Sequence, residues 1–91
     1  MHRWRHASHI TWAVELDGLL LVDGAAGVVH HLAYPEAAVW DLVGREPTLR
    51  GLSAKFGPVA SLDPEAAERY VGRKLEEWAK AGFLVAEDEH G

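Results

Sequence analysis

Between Ile10 and Leu16 apolar and polar positions alternate: Ile10, Trp12, Val14 and Leu16 are separated by Thr11, Ala13 and Glu15. A period of two is that of a strand with one face buried. Asp17-Gly18 is a tight-turn signal and Leu19 to Val22 follows as a second strand, so the two read as a hairpin. Asp23-Gly24-Ala25-Ala26-Gly27 is a further turn, its two glycines supplying positive φ at no steric cost. Val28-Val29-His30-His31-Leu32 then makes a short third strand. The pattern predicts a three-stranded antiparallel meander.

From Tyr34 the period becomes helical. Pro35 suits a first helical turn, Glu36 complements the helix dipole, and Ala38, Val39, Leu42 and Val43 with Trp40 build an apolar face that Gly44 ends. Thr48 is placed to cap a short second helix, Leu49 to Phe56, which Gly57-Pro58 should end. Asp63 and Pro64 open the third and longest helix, where Ala67, Val71, Leu75, Trp78 and Gly82 fall on one stripe. Phe83-Leu84-Val85 reads as a terminal strand or packed tail. The expected fold is α+β and winged-helix-like: a three-stranded antiparallel sheet followed by three helices. Residues 9–86 form its body, with a flexible N-terminal arm over 1–8 and an acidic, frayed tail over 87–91.

Composition narrows the function. Ninety-one residues fit one domain without room for a deep catalytic cavity. With no cysteine, thiolate chemistry, disulfides and cysteine zinc sites are excluded. The longest apolar run, Leu19-Leu20-Leu21-Val22, is strand-sized, and Met1 to His6 lacks the apolar stretch of a secretory signal, so a cytoplasmic protein without a membrane partner is expected. No nucleophile elbow, zincin helix or phosphate loop is present, so the chain reads as non-enzymatic with no cofactor. Six histidines raise the question of a metal. His30 and His31 are strand neighbours facing opposite ways, however, and carboxylate companions at ligand spacing are missing. No metal site is expected.

The stretch Val22 to Leu32, then Ala38-Val39-Trp40-Asp41-Leu42, Thr48, Val71, Leu75 and Gly82-Phe83-Leu84-Val85, resembles the PqqD-like family across roughly Ile10 to Val85. These are leader-recognition domains of pathways that make ribosomally synthesised, post-translationally modified peptides (RiPPs). The chain departs from the family with Ala33-Tyr34-Pro35 before the first helix and Gly44-Arg45-Glu46-Pro47-Thr48 between the first two. The resemblance implies a RiPP recognition element, a peptide chaperone that binds an extended leader as an added strand beside the third strand. The leader would lie in the groove against the third helix and be delivered to a modifying enzyme (a radical SAM enzyme, a cyclase or a protease). Net backbone hydrogen bonds contribute only about 0.5–1.5 kcal/mol each, so apolar burial must supplement them.

The candidate groove floor is Val28, Val29, His30, His31 and Leu32; the simpler alternative is a strand with one face in the core and one in water. On the third helix the flank with Tyr70, Arg73, Lys74 and Glu77 is the candidate wall, its cations available to an acidic leader; the alternative is a solvated helix face. Trp78 closes the list, although its place on the stripe favours the core, as does that of Trp40; Trp12 is open between two faces. A winged-helix DNA-binding regulator is the rival function. The net charge of −5 and Glu65, Glu68, Glu76 and Glu77 on the third helix argue against it, because phosphate neutralisation dominates nucleic-acid affinity. An adaptor that holds the enzyme more firmly than the peptide shares the fold. An exposed edge also permits a weak homodimer when no peptide is bound.

Overall fold

The computed structural model describes residues 2–88. Its elements are β1 (His2–His6), β2 (Ile10–Glu15), β3 (Gly18–Asp23), β4 (Val28–Ala33), α1 (Glu36–Val43), α2 (Leu49–Ala60), α3 (Pro64–Lys80) and β5 (Leu84–Asp88). β2, β3 and β4 form the antiparallel meander, with β3 central, and three helices follow, giving the expected α+β fold. The third strand of the sequence pattern is therefore β4.

Register sends the two sheet faces to different environments. Leu19 lies between Val14 and Leu32, and Leu21 between Trp12 and His30; this face carries Leu19, Leu21 and Leu32 into the core. Thr11, Val22 and Val29 alternate onto the solvent face. Gly18 sits where a side chain has no room, since a Cβ there would lie 1.9 Å from the Leu32 carbonyl oxygen. In the β3–β4 turn only Gly27 uses positive φ (69°). The remaining fixing comes from Asp23, whose Oδ1 accepts from the N–H groups of Ala25 and Ala26 at 3.0 Å each. Those N–H groups, Ala26 foremost, hold its carboxyl below the usual carboxylate range.

The helix caps follow the sequence closely. Thr48 Oγ1 accepts from Gly51 N–H at 3.1 Å and Asp63 Oδ1 from Ala66 N–H at 2.8 Å. α1 begins one residue later than expected, with Pro35 in the cap position. α2 continues past Gly57-Pro58 to Ala60. Proline deletes one hydrogen bond, to the carbonyl of exposed Ala54, which water can serve. The helix ends instead on left-handed Ser61 (φ 57°), where Leu62 N–H bonds Gly57 C=O at 2.8 Å in a Schellman closure.

The core stripe of α3, Ala67, Val71, Leu75 and Trp78, is buried against Leu52 and Phe56 of α2 and Val39, Trp40 and Val43 of α1. Trp40 is at the centre, edge-on to Trp78 at 5.2 Å and to Trp12 at 5.7 Å.

The ends of the chain correct the expectation of a flexible arm and a frayed tail. β1 pairs antiparallel with β5, from His2 opposite Asp88 to His6 opposite Leu84. Trp4 N–H donates to Pro47 C=O at 2.7 Å, Ala7 N–H to Phe83 C=O at 2.9 Å, and Arg5 pairs with Glu87. The basic start and the acidic end are complementary partners, and Trp4 and His6 are half-buried beneath them. His6 packs on Trp12 and Trp40 at 4.2 and 4.4 Å, and burial pushes its pKa down. The part of the expected tail over 89–91, like Met1, lies outside the described residues.

Candidate functional site

Which edge of the sheet is open follows from hydrogen-bond phase. A two-residue turn makes Glu15 and Gly18 a bonded pair, and Gly24 N–H donates to His9 C=O at 2.8 Å in the same phase. Gly18, Leu20 and Val22 thus bond towards β2, and Leu19, Leu21 and Asp23 bond towards β4. Their partners Leu32, His30 and Val28 use their backbone groups on β3. Alternation then turns the N–H and C=O of Val29, His31 and Ala33 outward. Among the described residues no backbone group of another segment bonds to them. The N-terminal strand, a ready-made cover, is engaged with β5 instead.

Side chains along this rim split by face. Val28 (43% exposed), His30 and Leu32 point to the helix side, where Leu32 is buried and His30 lies against the Phe83 ring at 4.9 Å. Val29 (58% exposed) and His31 point to the solvent side, His31 Nε2 standing 3.5 Å from Asp17 Oδ1 at the hairpin tip. Of the five expected floor residues Val28, Val29 and His31 are exposed, His30 is half-buried and Leu32 belongs to the core.

The α3 wall is likewise divided. Tyr70 stacks on Phe56 with ring centroids 5.2 Å apart, and its partial burial raises its pKa. Lys74 Nζ reaches Glu36 Oε2 at 2.9 Å and Glu77 Oε2 at 3.3 Å. The hydrogen bond that Lys74 donates to Glu36 is the main reason that its pKa is raised. Tyr70, Lys74 and Glu77 therefore form a continuous flank tied to the first turn of α1, just beyond the end of β4. Arg73 leans outward over Tyr70 and also lines a hollow of about 660 Å³ beside Leu49 and Gly72. Trp78, 5% exposed, is a core residue and leaves the list of contacts. Glu36, against Lys74, and Phe83, against His30, adjoin these candidate residues and were not singled out by the sequence pattern. Glu36 was legible only as a dipole partner, because its cation is 38 positions away.

Lys74 is thus already neutralised and cannot offer a leader the free charge expected of it. Lys74→Glu would set three carboxylates together, and an unpaired partly buried charge is costly. The expected loss is about 1–3 kcal/mol, a fall of roughly 5–20 °C in thermal midpoint followed by circular dichroism. Because the pairing raises the lysine pKa, its contribution is complete at neutral pH and is lost only as pH rises through the folded-state value.

No helix of the described residues is long and apolar enough to cross a membrane. Neither a protein-family model nor a curated protein matches the chain. The fold is similar to that of a solved structure, lasso peptide synthetase B1 complexed with the leader peptide. The TM-score is 0.80 at 17% sequence identity, over 91% of this chain and 98% of that one. At that identity the likeness establishes the fold, and nearly the whole of both chains shares it.

Proposed function

We propose that this chain is a non-catalytic recognition module for RiPP biosynthesis. It binds the leader segment of a precursor peptide as a fourth strand on β4 and delivers it to a modifying enzyme. The observation that carries this reading is the rim of Val29, His31 and Ala33, whose outward backbone groups meet no backbone partner among the described residues. Support comes from the whole-chain likeness to a B1 protein complexed with a leader peptide. An added strand satisfies the rim's backbone groups. Its helix-facing side chains meet Val28, His30 and Phe83, where exposed apolar area supplies what hydrogen bonding alone does not. The PqqD-like family, the cytoplasm and a radical SAM enzyme, cyclase or protease as recipient belong to the same proposal.

The DNA-binding alternative has little left to work with. Lys74 is held by two carboxylates and Arg69 lies 3.9 Å from Glu65, so α3 offers few uncommitted cations to phosphates.

The test is a titration of fluorescein-labelled synthetic leader peptides, encoded beside this gene, into the full chain. Saturable binding with a Kd of about 1 μM or tighter is expected. Random duplex DNA at physiological salt should give no shift. Failure of every encoded leader to bind, or a salt-dependent DNA shift in their place, overturns the reading.

A further inference from the structure

The sheet has a second edge, on β2, whose outward groups follow from the same phase. Trp12 and Val14 turn N–H and C=O away from β3, and Ile10 turns its C=O, its N–H being bonded to Ala7 C=O at 3.1 Å. Few of the usual blocks to edge association are present: Ile10–Glu15 contains no proline, no lysine and no break in register, and its one charged residue, Glu15, stands at its end. The edge is instead apolar, with Trp12 38% and Val14 73% exposed. On its helix side Val14 borders a hollow of about 310 Å³ shared with Tyr34, Leu42 and Val59.

We infer that β2 pairs with β2 of a second copy about a two-fold axis through Trp12, giving a symmetric homodimer. The sequence is self-complementary in this register. Trp12 meets Trp12 of the second copy, Ile10 meets Val14, Thr11 meets Ala13, and His9 meets Glu15. Like faces match like: Ile10, Trp12 and Val14 share the helix side, and His9, Thr11, Ala13 and Glu15 the solvent side. The two Trp12 backbones exchange both bonds, and each Val14 N–H donates to Ile10 C=O across the axis. His9, whose Nε2 lies 3.9 Å from Asp23 Oδ1 of its own chain, then comes opposite Glu15 at each end of the pairing. The same operation on β4 about His31 is poorer: it sets His31 on His31 and Val29 against the small Ala33. The resulting sheet runs β4-β3-β2-β2-β3-β4 and leaves both β4 rims at its outer ends. Dimerisation is therefore independent of leader capture and does not rest on it.

Sedimentation equilibrium of the full chain, from micromolar to millimolar concentration without peptide, should show a reversible monomer–dimer equilibrium. Val14→Lys places a charge on the edge at an exposed position and should weaken it at least about tenfold, while Val29→Pro leaves it unchanged. Far-UV circular dichroism confirms that both variants are folded. Because the chain has no cysteine, Thr11→Cys with Ala13→Cys gives a second readout. Non-hydrogen-bonded antiparallel pairs approach to about 4.5 Å between Cα atoms, within disulfide reach, so mild oxidation should trap a covalent dimer. A monomer throughout the range overturns the inference, as does dissociation by Val29→Pro and not by Val14→Lys. A reversible dimer that the cysteine pair fails to trap overturns it also.

Discussion

Proline at Val29, and separately at His31, is expected to abolish leader capture, raising Kd at least about a hundredfold, or about 2.7 kcal/mol. Both residues direct their N–H out of the sheet, so proline there removes a donor needed by an incoming strand without touching the β3–β4 ladder. One lost net hydrogen bond contributes about 0.5–1.5 kcal/mol, and the remainder comes from the ring, which stands where the leader backbone must approach. Val28 and His30 provide the control. Their N–H groups bond to β3, so proline there should lower the thermal midpoint as well as affinity. The pattern of alternation is the informative result: loss of binding with an unchanged midpoint at 29 and 31, and loss of both at 28 and 30. If affinity survives proline at both outward positions, the leader docks elsewhere. If all four variants unfold alike, the phase assigned to β4 is wrong.

That phase is one of the things the sequence carried most of the way. Alternation in Ile10–Leu16, the Asp17-Gly18 turn and the two-glycine loop are local signals, and each specifies its structure within a few residues. So are the caps at Thr48 and Asp63. What the sequence could not display is distant pairing. Arg5 and Glu87 each look like an ordinary terminal charge, and their complementarity becomes structure only because α3 returns the chain to its starting point. Lys74 presents the same difficulty at the site itself. Read along α3 it is a cation on a solvated flank; in space it is the bolt between α3 and the first turn of α1. Leu32 and Trp78 were legible as apolar residues in the right elements, but their burial depends on how the helices close over the sheet. Local codes thus gave the rim, and tertiary contacts decided which side chains beside it remain available.

Trp40→Ala is expected to be the most destabilising single truncation. The side chain is fully buried and stands edge-on between Trp12 and Trp78, with the His6 ring 4.4 Å away, so it joins the sheet, α3 and β1 at one point. Deleting a buried aromatic ring removes its transfer free energy and leaves a cavity, about 3–5 kcal/mol together. A small domain buries a lower share of its surface than a large one and has a total stability at the modest end of about 5–15 kcal/mol. Much of the fold's margin is therefore consumed, and a fall of roughly 15–30 °C in thermal midpoint is expected. Trp40→Phe separates volume from polarity. The indole N–H has no hydrogen-bond partner among the described residues, so phenylalanine forfeits no bond and loses only part of the packing. Its cost should be less than half that of alanine. It should also leave leader affinity within about twofold, since the ring lies behind the sheet and away from the β4 rim. Equal destabilisation by phenylalanine and alanine would mean that the indole N–H does hold a bond. A large affinity loss in a folded Trp40→Phe protein would mean that the groove extends through the aromatic cluster to β1.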